Sequence, residues 1–478
     1  MMRQKMSGTA PLSARLEPWM EDLLNDPQQC RALLDAHGSP VNIHHFGAMG
    51  RNVGELRSAA ATHGIDFDIY FARKANKTLG AIDQALREDC GIDVASLNEL
   101  RQCLQRGVPA ERIIVTAAVK STALLKLAIE SGVTISVDNE DELRDALDLT
   151  GAQRLPLNVA LRLAVSHPSI PPTRFGLRAL QWLDVLRDSE LISGVQVAGI
   201  HFHLNGYEAR ARAIGIGESL GLIEQLRQLG HAPRFVDMGG GIPMSYLDSA
   251  SQWEGFWTAL QNLPAGDEAL TWKSDRLGAG VYPYHQELVR GGWLDQVLST
   301  VPDNGSPSVQ VEPSGQAGQP GLSGQSVAQA LRAAQIQLRC EPGRSLLDGC
   351  GLTLAEVAFT KQRSDGVPLV GLHMNRTQCR STSADFLLDP VLVHAQHPRR
   401  ARTAGSAFLV GAYCIEEELL LRRRFEFPAG VTAGDLVAFP NTAGYLMHIV
   451  ESASHQLPLA ANVLWDGGGW VLDDIDQM

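Results

Sequence analysis

The chain contains 478 residues, of which 44% are hydrophobic and 20% are charged, and this composition excludes wholesale disorder. Its 41 basic and 53 acidic residues give a net charge of −12, which provides no general attraction to phosphate backbones or anionic lipid. We therefore expect neither a nucleic acid nor a membrane as a partner.

The cysteines and the first residues of the chain indicate the compartment. The seven cysteines are scattered and never spaced as C-x-x-C, which argues against a disulfide framework and against a zinc site. Residues 1–10 lack the apolar core of a signal peptide, and the sequence has no run of about 18 apolar residues. These observations predict a cytoplasmic protein that binds no metal.

Eight strand-like segments alternate with helical patterns between Phe46 and Cys340. Such alternation requires parallel strands, and eight units favour closure into a (β/α)8 TIM barrel over an open, doubly wound sheet. The predicted barrel strands are Asp66–Arg73, Gly91–Ala95, Arg112–Thr116, Val133–Val137, Leu157–Leu163, Val195–His203, Arg234–Met238 and Ile336–Cys340.

The barrel is the central one of three predicted regions. Residues 1–45 are predicted to form an N-terminal helix and a strand at Pro40–His44, and this strand is expected to join a later β domain. Residues 46–344 form the barrel. Four short β-like runs separated by turn residues then predict a C-terminal all-β domain over residues 345–478; they are Leu352–Thr360, Leu369–Met374, Ala407–Cys414 and Leu436–Phe439.

An insertion interrupts the last barrel unit at about residues 245–330. It contains an aromatic stretch at Val281–His285 and a Gly-, Ser- and Pro-rich tract at Pro302–Gln325. We predict that this polar tract is a mobile surface loop.

Residues whose side chains could react or bind a ligand stand at the ends of predicted strands one and six. Desolvation at a strand end would lower the pKa of Lys74 and favour Schiff-base formation, although an isolated lysine is more often a solvated surface residue. His203 could lie flat against a planar ligand. His201, one layer deeper on the same face, is more consistent with a core histidine.

The ends of strands seven and eight carry groups that suit a phosphate. Gly239, Gly240 and Gly241 allow backbone N–H groups to approach an anion, although such a triplet often marks only a turn. Glu341 and Arg344 place a carboxylate beside a guanidinium, which can bind phosphate through two hydrogen bonds. All of these residues are expected at one end of the barrel. Together they are the parts needed to hold pyridoxal 5′-phosphate (PLP): a lysine, a histidine, a glycine loop and a Glu/Arg pair.

Eight motifs share their residues and their order with one enzyme family. They are Ala72–Asn76, Gly91–Leu100, Thr173–Leu177, Gly199–His203, Gly239–Gly241, Glu341–Arg344, Gly411–Cys414 and Ala443–Tyr445. The chain resembles the fold-type III PLP-dependent decarboxylases, the group of the diaminopimelate, ornithine and arginine enzymes, as a divergent member. The resemblance implies an alanine racemase-like barrel with a C-terminal β domain.

The resemblance also implies roles for single residues. Lys74 would carry PLP as a Schiff base, His203 would stack on the ring and Glu341 would bind the ring nitrogen. Asp93 and Arg162 would lie near the cofactor. The phosphate would be bound by Gly239, Gly240, Gly241, Gly343, Arg344 and Tyr445, with Asn205 in place of a serine of the family.

Two further residues need separate comment, because one has two possible explanations and the other would act in the site of a second subunit. Glu99 matches a family position near the cofactor, but a capping box with Ser96 at a helix start explains it at least as well. Cys414 would come from the second subunit of a homodimer with shared active sites and would act as a proton donor.

The resemblance favours decarboxylation of an amino acid at its α-carbon. A carboxylate at the ring nitrogen strengthens the electron sink, whereas alanine racemases have an arginine there. Arg376 and Glu416 are expected to contact the substrate, which is diaminopimelate-like, ornithine-like or a modified biosynthetic intermediate. Two alternatives remain: an amino-acid racemase or epimerase, and a catalytically silent homologue that binds a partner decarboxylase.

Overall fold

The structure is a computed structural model. It describes residues 3–150, 157–188, 194–278, 280–302, 324–382, 386–396, 398 and 400–477. Most of the predicted mobile tract at Pro302–Gln325 therefore lies outside the described residues.

The elements are numbered here in chain order. The strands are β1 (Arg3–Lys5), β2 (Ser7–Gly8), β3 (Val41–His44), β4 (Phe67–Ala72), β5 (Gly91–Val94), β6 (Ile113–Val115), β7 (Thr134–Val137), β8 (Leu157–Arg162), β9 (Val195–His201), β10 (Phe235–Asp237), β11 (Gln337–Cys340), β12 (Gly351–Gln362), β13 (Pro368–Leu372), β14 (Val391–Val393), β15 (Thr403–Val410), β16 (Leu419–Val431), β17 (Leu436–Pro440), β18 (Ala461–Trp465) and β19 (Trp470–Leu472). The helices are α1 (Pro18–Leu24), α2 (Pro27–His37), α3 (Gly47–Thr62), α4 (Leu79–Arg87), α5 (Leu97–Gln105), α6 (Thr122–Ser131), α7 (Glu140–Thr150), α8 (Ala179–Val185), α9 (Ala209–Gln228), α10 (Ala250–Asn262), α11 (Arg290–Ser299) and α12 (Val327–Ala334).

Strands β4 to β11 close into a parallel barrel. Each pairs with its neighbours in sequence, and β11 pairs with β4 to complete the ring, with Cys340 opposite Ile69. Most residues of these strands are apolar and buried, as expected for parallel strands with helices outside and packed side chains inside. The predicted TIM barrel is confirmed, and every predicted barrel strand overlaps an observed one.

The second unit is mostly β structure and contains an eleven-stranded sheet. The four β-like runs predicted after Arg344 overlap β12, β13, β15 and β17, whereas β14, β16, β18 and β19 were not predicted. Strand β3 from the N-terminal region pairs antiparallel with β12 and parallel with β18. Strands β1 and β2 also join this sheet, through β14 and β16.

The described part of the insertion after β10 packs against both units. Tyr246, Tyr282 and Tyr284 share an apolar cluster with residues of the β sheet, and their ring centroids lie 5.7–5.9 Å apart. Helix α11 packs on α3 of the barrel. At its start, Arg290 pairs with Glu55, with a shortest N–O distance of 2.7 Å. The insertion therefore joins the barrel to the sheet.

The C-terminal segment caps a barrel helix. Thr78, before α4, makes no side-chain capping bond. Instead the buried carboxylate of Asp473 accepts the N–H groups of Leu79 and Gly80, both at 2.9 Å. We expect Asp473→Ala to lower the free energy of unfolding, measured with urea, by about 2 kcal/mol, because two buried donors lose their acceptor. The exposed Asp35→Ala should change it by less than about 0.5 kcal/mol, and equal effects would contradict this prediction.

Among the described residues, none of the helices combines the length and the apolar composition that a bilayer crossing requires.

Candidate active site

The barrel places an amine and a buried carboxylate at the ends of adjacent strands. Lys74 lies in a short turn directly after β4, and its Nζ donates a hydrogen bond to Asp93 on β5. Thr116, just after β6, donates to the other oxygen of Asp93. The side chain of Asp93 is fully buried, whereas that of Lys74 is 34% exposed. The amine is thus anchored from below and remains accessible at the barrel mouth.

The pKa of Lys74 differs from the sequence-based expectation. Burial alone lowers it, but the negative charges of Asp93 and Glu341 outweigh this effect and raise the pKa above that of an ordinary lysine. The prediction of a lowered pKa is therefore wrong for the cofactor-free protein. At neutral pH the amine is a cation held by Asp93, and it must give up a proton before it can attack an aldehyde.

Glu341 follows β11 and points a buried carboxyl group into the same region. The residue is 2% exposed, and its Oε1 accepts no hydrogen bond within the described part of the chain. Burial first, and then the charge of Asp93, raise its pKa to about 8. The carboxyl group therefore holds its proton more tightly than an ordinary glutamate and can share it with a basic nitrogen.

His201 lies one layer below the mouth. Its Nδ1 is 2.7 Å from the hydroxyl oxygen of Ser136, and its Nε2 is 3.6 Å from Glu341 Oε2. Burial lowers its pKa to about 3, so the ring is neutral and the contact with Glu341 is not an ion pair. These contacts fit a hydrogen-bonded core histidine.

His203 and the glycines form the next part of the rim. Gly240 N–H donates to His203 Nδ1 at 3.4 Å. Burial, and then the charge of Lys74, lower the pKa of His203 to about 3, so this ring is also neutral. Gly239 has a φ of +66°, and a Cβ there would lie 2.7 Å from the carbonyl oxygen of Phe202. Only glycine fits this close approach.

The β unit contributes a tyrosine to the mouth. Tyr445 N–H donates to the carbonyl of Ala75, beside Lys74, at 2.8 Å. A Cβ on Gly343 would lie 2.7 Å from Tyr445 Oη. The Arg344 guanidinium lies over the rings of Tyr282 and Tyr445, 4.3 and 5.4 Å from their centroids. The structure thus brings Gly343, Arg344 and Tyr445 together with the lysine turn.

Arg162, at the end of β8, lies near the buried carboxylate. Its Nη1 is 3.4 Å from the carbonyl oxygen of Thr116 and 3.3 Å from Asp138 Oδ1. Its guanidinium is 4.2 Å from the ring centroid of Phe175. Asp138 and Thr116 were missed by the sequence analysis, although both follow barrel strands and the strand-end rule would have found them.

Glu99 has a local structural role. Its N–H donates to the Ser96 hydroxyl at 3.2 Å, and its carboxylate accepts the N–H of Ala95 at 2.6 Å. The bond to Ser96 is the helix cap expected there, but the Glu99 carboxylate bonds to the N–H of Ala95 and not to that of Ser96, so only half of the predicted capping box forms. Asn205 is exposed in the loop after His203.

Two predicted residues, Cys414 and Glu416, lie on the loop between β15 and β16, and a third, Arg376, follows β13 and contacts that loop. Cys414 and Glu416 are exposed. Arg376 Nη1 donates to the carbonyl of Glu417 at 3.0 Å, and its backbone N–H donates to Glu418 at 2.8 Å. Within the described residues of one chain, no hydrogen bond or ion pair joins these three side chains to Lys74 or Glu341.

The titration of Glu341 predicts a pH effect on the apoprotein. Because its pKa is raised from 4.5 to about 8 on folding, the folded state holds an extra proton in this range. The resulting stabilisation is complete below pH 4.5 and is lost as the pH rises through 8. Between pH 6 and 9, the unfolding free energy should fall by roughly 3 kcal/mol more in the wild type than in Glu341→Gln. Urea denaturation at both pH values measures this, and equal losses would contradict it.

The residues present fit PLP. They offer an accessible amine, a neutral histidine ring and a buried carboxyl oxygen without a hydrogen-bond partner in the described chain. They also offer a glycine loop that any Cβ would fill. These are the contacts that an aldehyde, a flat ring, a ring nitrogen and a phosphate require.

Comparison with known proteins finds similarity to PLP-dependent decarboxylases. The family signature of the pyridoxal-dependent decarboxylase, pyridoxal binding domain, matches residues 51–265. The uncharacterized protein y4yA of Sinorhizobium fredii is 29% identical over 89% of this chain and 87% of its own length. Diaminopimelate decarboxylase of Zymomonas mobilis is 22% identical over 84% of this chain and 80% of its own. The crystal structure of diaminopimelate decarboxylase from Helicobacter pylori complexed with L-lysine superimposes with a TM-score of 0.66 at 16% identity, covering 92% and 95% of the two chains.

The barrel, its lysine and the matching signature define a PLP-binding protein. Residues 51–265 match the pyridoxal-dependent decarboxylase family, the chain is similar at low identity to the fold-type III PLP-dependent decarboxylases, and its cofactor is PLP.

Proposed function

We propose that the protein removes the α-carboxylate of an amino acid as carbon dioxide. The observation that carries this proposal is the buried carboxyl group of Glu341 beside Lys74, with an oxygen that has no hydrogen-bond partner in the described chain. When bound, PLP supplies an electron sink for the pair left by the broken Cα–carboxylate bond. Glu341 shares its proton with the ring nitrogen and so strengthens that sink.

The remaining residues hold the cofactor and manage protons. Asp93 holds the cationic amine of Lys74 in place and accepts its hydrogen bond. His203 presents a neutral ring that can pack flat without adding charge. The glycine loop, Arg344 and Tyr445 bind the phosphate. Arg162 and Asn205 complete the surroundings of the cofactor.

The substrate is proposed to be an amino acid of the diaminopimelate or ornithine type, or a modified biosynthetic intermediate. Arg376 and Glu416 are proposed to contact its distal end. Glu416 lies on the loop that also holds Cys414, and the Arg376 side chain, which is 33% exposed, donates to the carbonyl of Glu417 on that loop.

The site is proposed to be completed by a second copy of the chain. Cys414 is exposed, and Ile415, Ile449 and Val450 beside it are 39–46% exposed. The Tyr413 hydroxyl holds the two loops together by donating to the carbonyl of Ser452 at 2.9 Å. An exposed apolar patch next to an exposed thiol suits a symmetric interface, across which Cys414 would protonate the product.

Mixing inactive subunits tests the shared site. An equal mixture of Lys74→Arg and Cys414→Ala subunits should recover about one quarter of the wild-type activity, because half of the randomly formed dimers contain one intact site. Activity no higher than that of Cys414→Ala alone would contradict sharing.

The reaction type is tested by a screen for carbon dioxide release. The holoenzyme is incubated with diamino acids, their D-forms and carboxylated diamines, and both carbon dioxide and the chirality of the remaining substrate are measured. Release of carbon dioxide supports the proposal. Inversion without release would show a racemase, and PLP binding without either reaction would show a silent homologue.

A further inference from the structure

Helix α9 carries a buried arginine below the glycine loop. Arg212 lies in the first turn of this helix and is 0% exposed. It occupies the apolar stripe that includes Ala209, Ala213 and Ile216, where an apolar side chain would be expected. In the described part of the chain, no carboxylate forms an ion pair with it. Burying a guanidinium without a counter-charge lowers the free energy of unfolding, so we expect this arginine to have a function.

The guanidinium of Arg212 contacts backbone carbonyl groups of two loops. Arg212 Nη2 lies 2.9 Å from the carbonyl oxygens of Leu204 and Gly206, in the loop after His203, and 3.3 Å from that of Gly240. A Cβ on Gly241 would lie 2.3 Å from the same nitrogen. The arginine therefore fits closely under both loops and fixes their spacing.

Fixing these carbonyls also fixes the neighbouring N–H groups. In a trans peptide the C=O and N–H bonds point in opposite directions, and the three peptides concerned are trans. The N–H groups of Asn205, Tyr207 and Gly241 therefore point away from Arg212. These three residues are exposed or half-buried, and within the described residues their N–H groups have no acceptor. They form an outward-facing set of donors.

The guanidinium retains unused donors and its charge. Nε and Nη1 of Arg212 are buried, and neither has a hydrogen-bond partner among the described residues. Burial lowers the pKa of Arg212 to about 10, so the group is still a cation at neutral pH. In an interior of low dielectric constant, such a charge acts over several ångströms.

We propose that Arg212 is a positioning residue for the cofactor phosphate. Its guanidinium orients the N–H groups of the two loops toward the anion, and its uncompensated positive charge attracts the phosphate dianion. The proposal concerns cofactor binding alone, so it does not depend on which reaction the protein catalyses.

The test compares PLP with pyridoxal, which has the same ring and aldehyde but lacks the phosphate. Both are titrated into the apoprotein, and Kd is measured from the quenching of tryptophan fluorescence. In Arg212→Met the Kd for PLP should rise roughly 10- to 100-fold, as expected for loss of charge-assisted hydrogen bonds, while that for pyridoxal changes less than about threefold. Arg212→Lys keeps the charge and should show an intermediate loss for PLP only.

Inorganic phosphate gives a second readout without the aldehyde. It should raise the melting temperature of the wild-type apoprotein but not that of Arg212→Met. Arg227→Met is the matched control, because Arg227 is exposed on the same helix and donates only to the carbonyl of Ala334 in the described chain. Equal losses of affinity for PLP and pyridoxal would show a merely structural role and overturn the proposal, as would an unchanged Kd for PLP. If Arg212→Met does not fold, the same two outcomes judged on Arg212→Lys decide.

Discussion

Replacing Lys74 by arginine is expected to abolish carbon dioxide release, with a loss in kcat of at least about 10⁴-fold. Arginine keeps a positive charge beside Asp93, so the buried carboxylate stays paired and the fold is preserved. A guanidinium is too weak a nucleophile to bond to the cofactor aldehyde. Turnover is measured on the substrate that the screen identifies, with circular dichroism to confirm folding.

Two further variants separate chemistry from folding. Lys74→Ala leaves the buried carboxylate of Asp93 without its cation and should lower the unfolding free energy by about 3 kcal/mol. Lys77→Arg is the matched control, since Lys77 lies three residues away and pairs with Glu451 instead. It should retain most of the wild-type activity. Lys74→Arg activity above a tenth of that of the wild type would contradict the assignment.

Replacing Glu341 by glutamine is expected to lower kcat roughly 10²- to 10³-fold with little change in KM, because a neutral amide cannot share an acidic proton with the ring nitrogen. The interaction matters most when the electron pair moves into the ring, which is why the loss falls on kcat. Steady-state kinetics on the holoenzyme measure both constants.

Glu99→Gln is the control for this variant. Glu99 is also a carboxylate near Asp93, but it bonds to the backbone at the start of α5. Its replacement should slow turnover less than about fivefold. A Glu341→Gln enzyme within threefold of the wild type, or an equally slow Glu99→Gln enzyme, would show that the acidic carboxyl group at position 341 is not the decisive feature.

The barrel was predictable from sequence because its signal is local and repeated. Each strand is a short apolar run followed by a helical period, and the regular spacing leaves few topologies. The β unit was only partly predictable. Strand β16 begins in a run of charged and apolar residues (Leu419–Phe427), and β1 and β2 pair with strands that lie hundreds of residues away. No local pattern encodes such pairings.

The candidate active site was also only partly predictable from the sequence. Lys74, His203 and Glu341 stand at strand ends, and the barrel rule places strand ends together. The pKa of Lys74 could not be predicted, since its direction depends on charges from two other strands. Arg212 had one signal, a charge on an apolar helix stripe, but its contacts with two loops follow only from tertiary structure.

The most direct test of the whole account is to find which side chain carries the cofactor. The holoenzyme is treated with borohydride, digested, and its peptides are analysed by mass spectrometry. We predict a pyridoxyl phosphate group on Lys74. Attachment to Lys120, whose buried amine has a lowered pKa, or to Lys77, or to no lysine at all, would contradict the account.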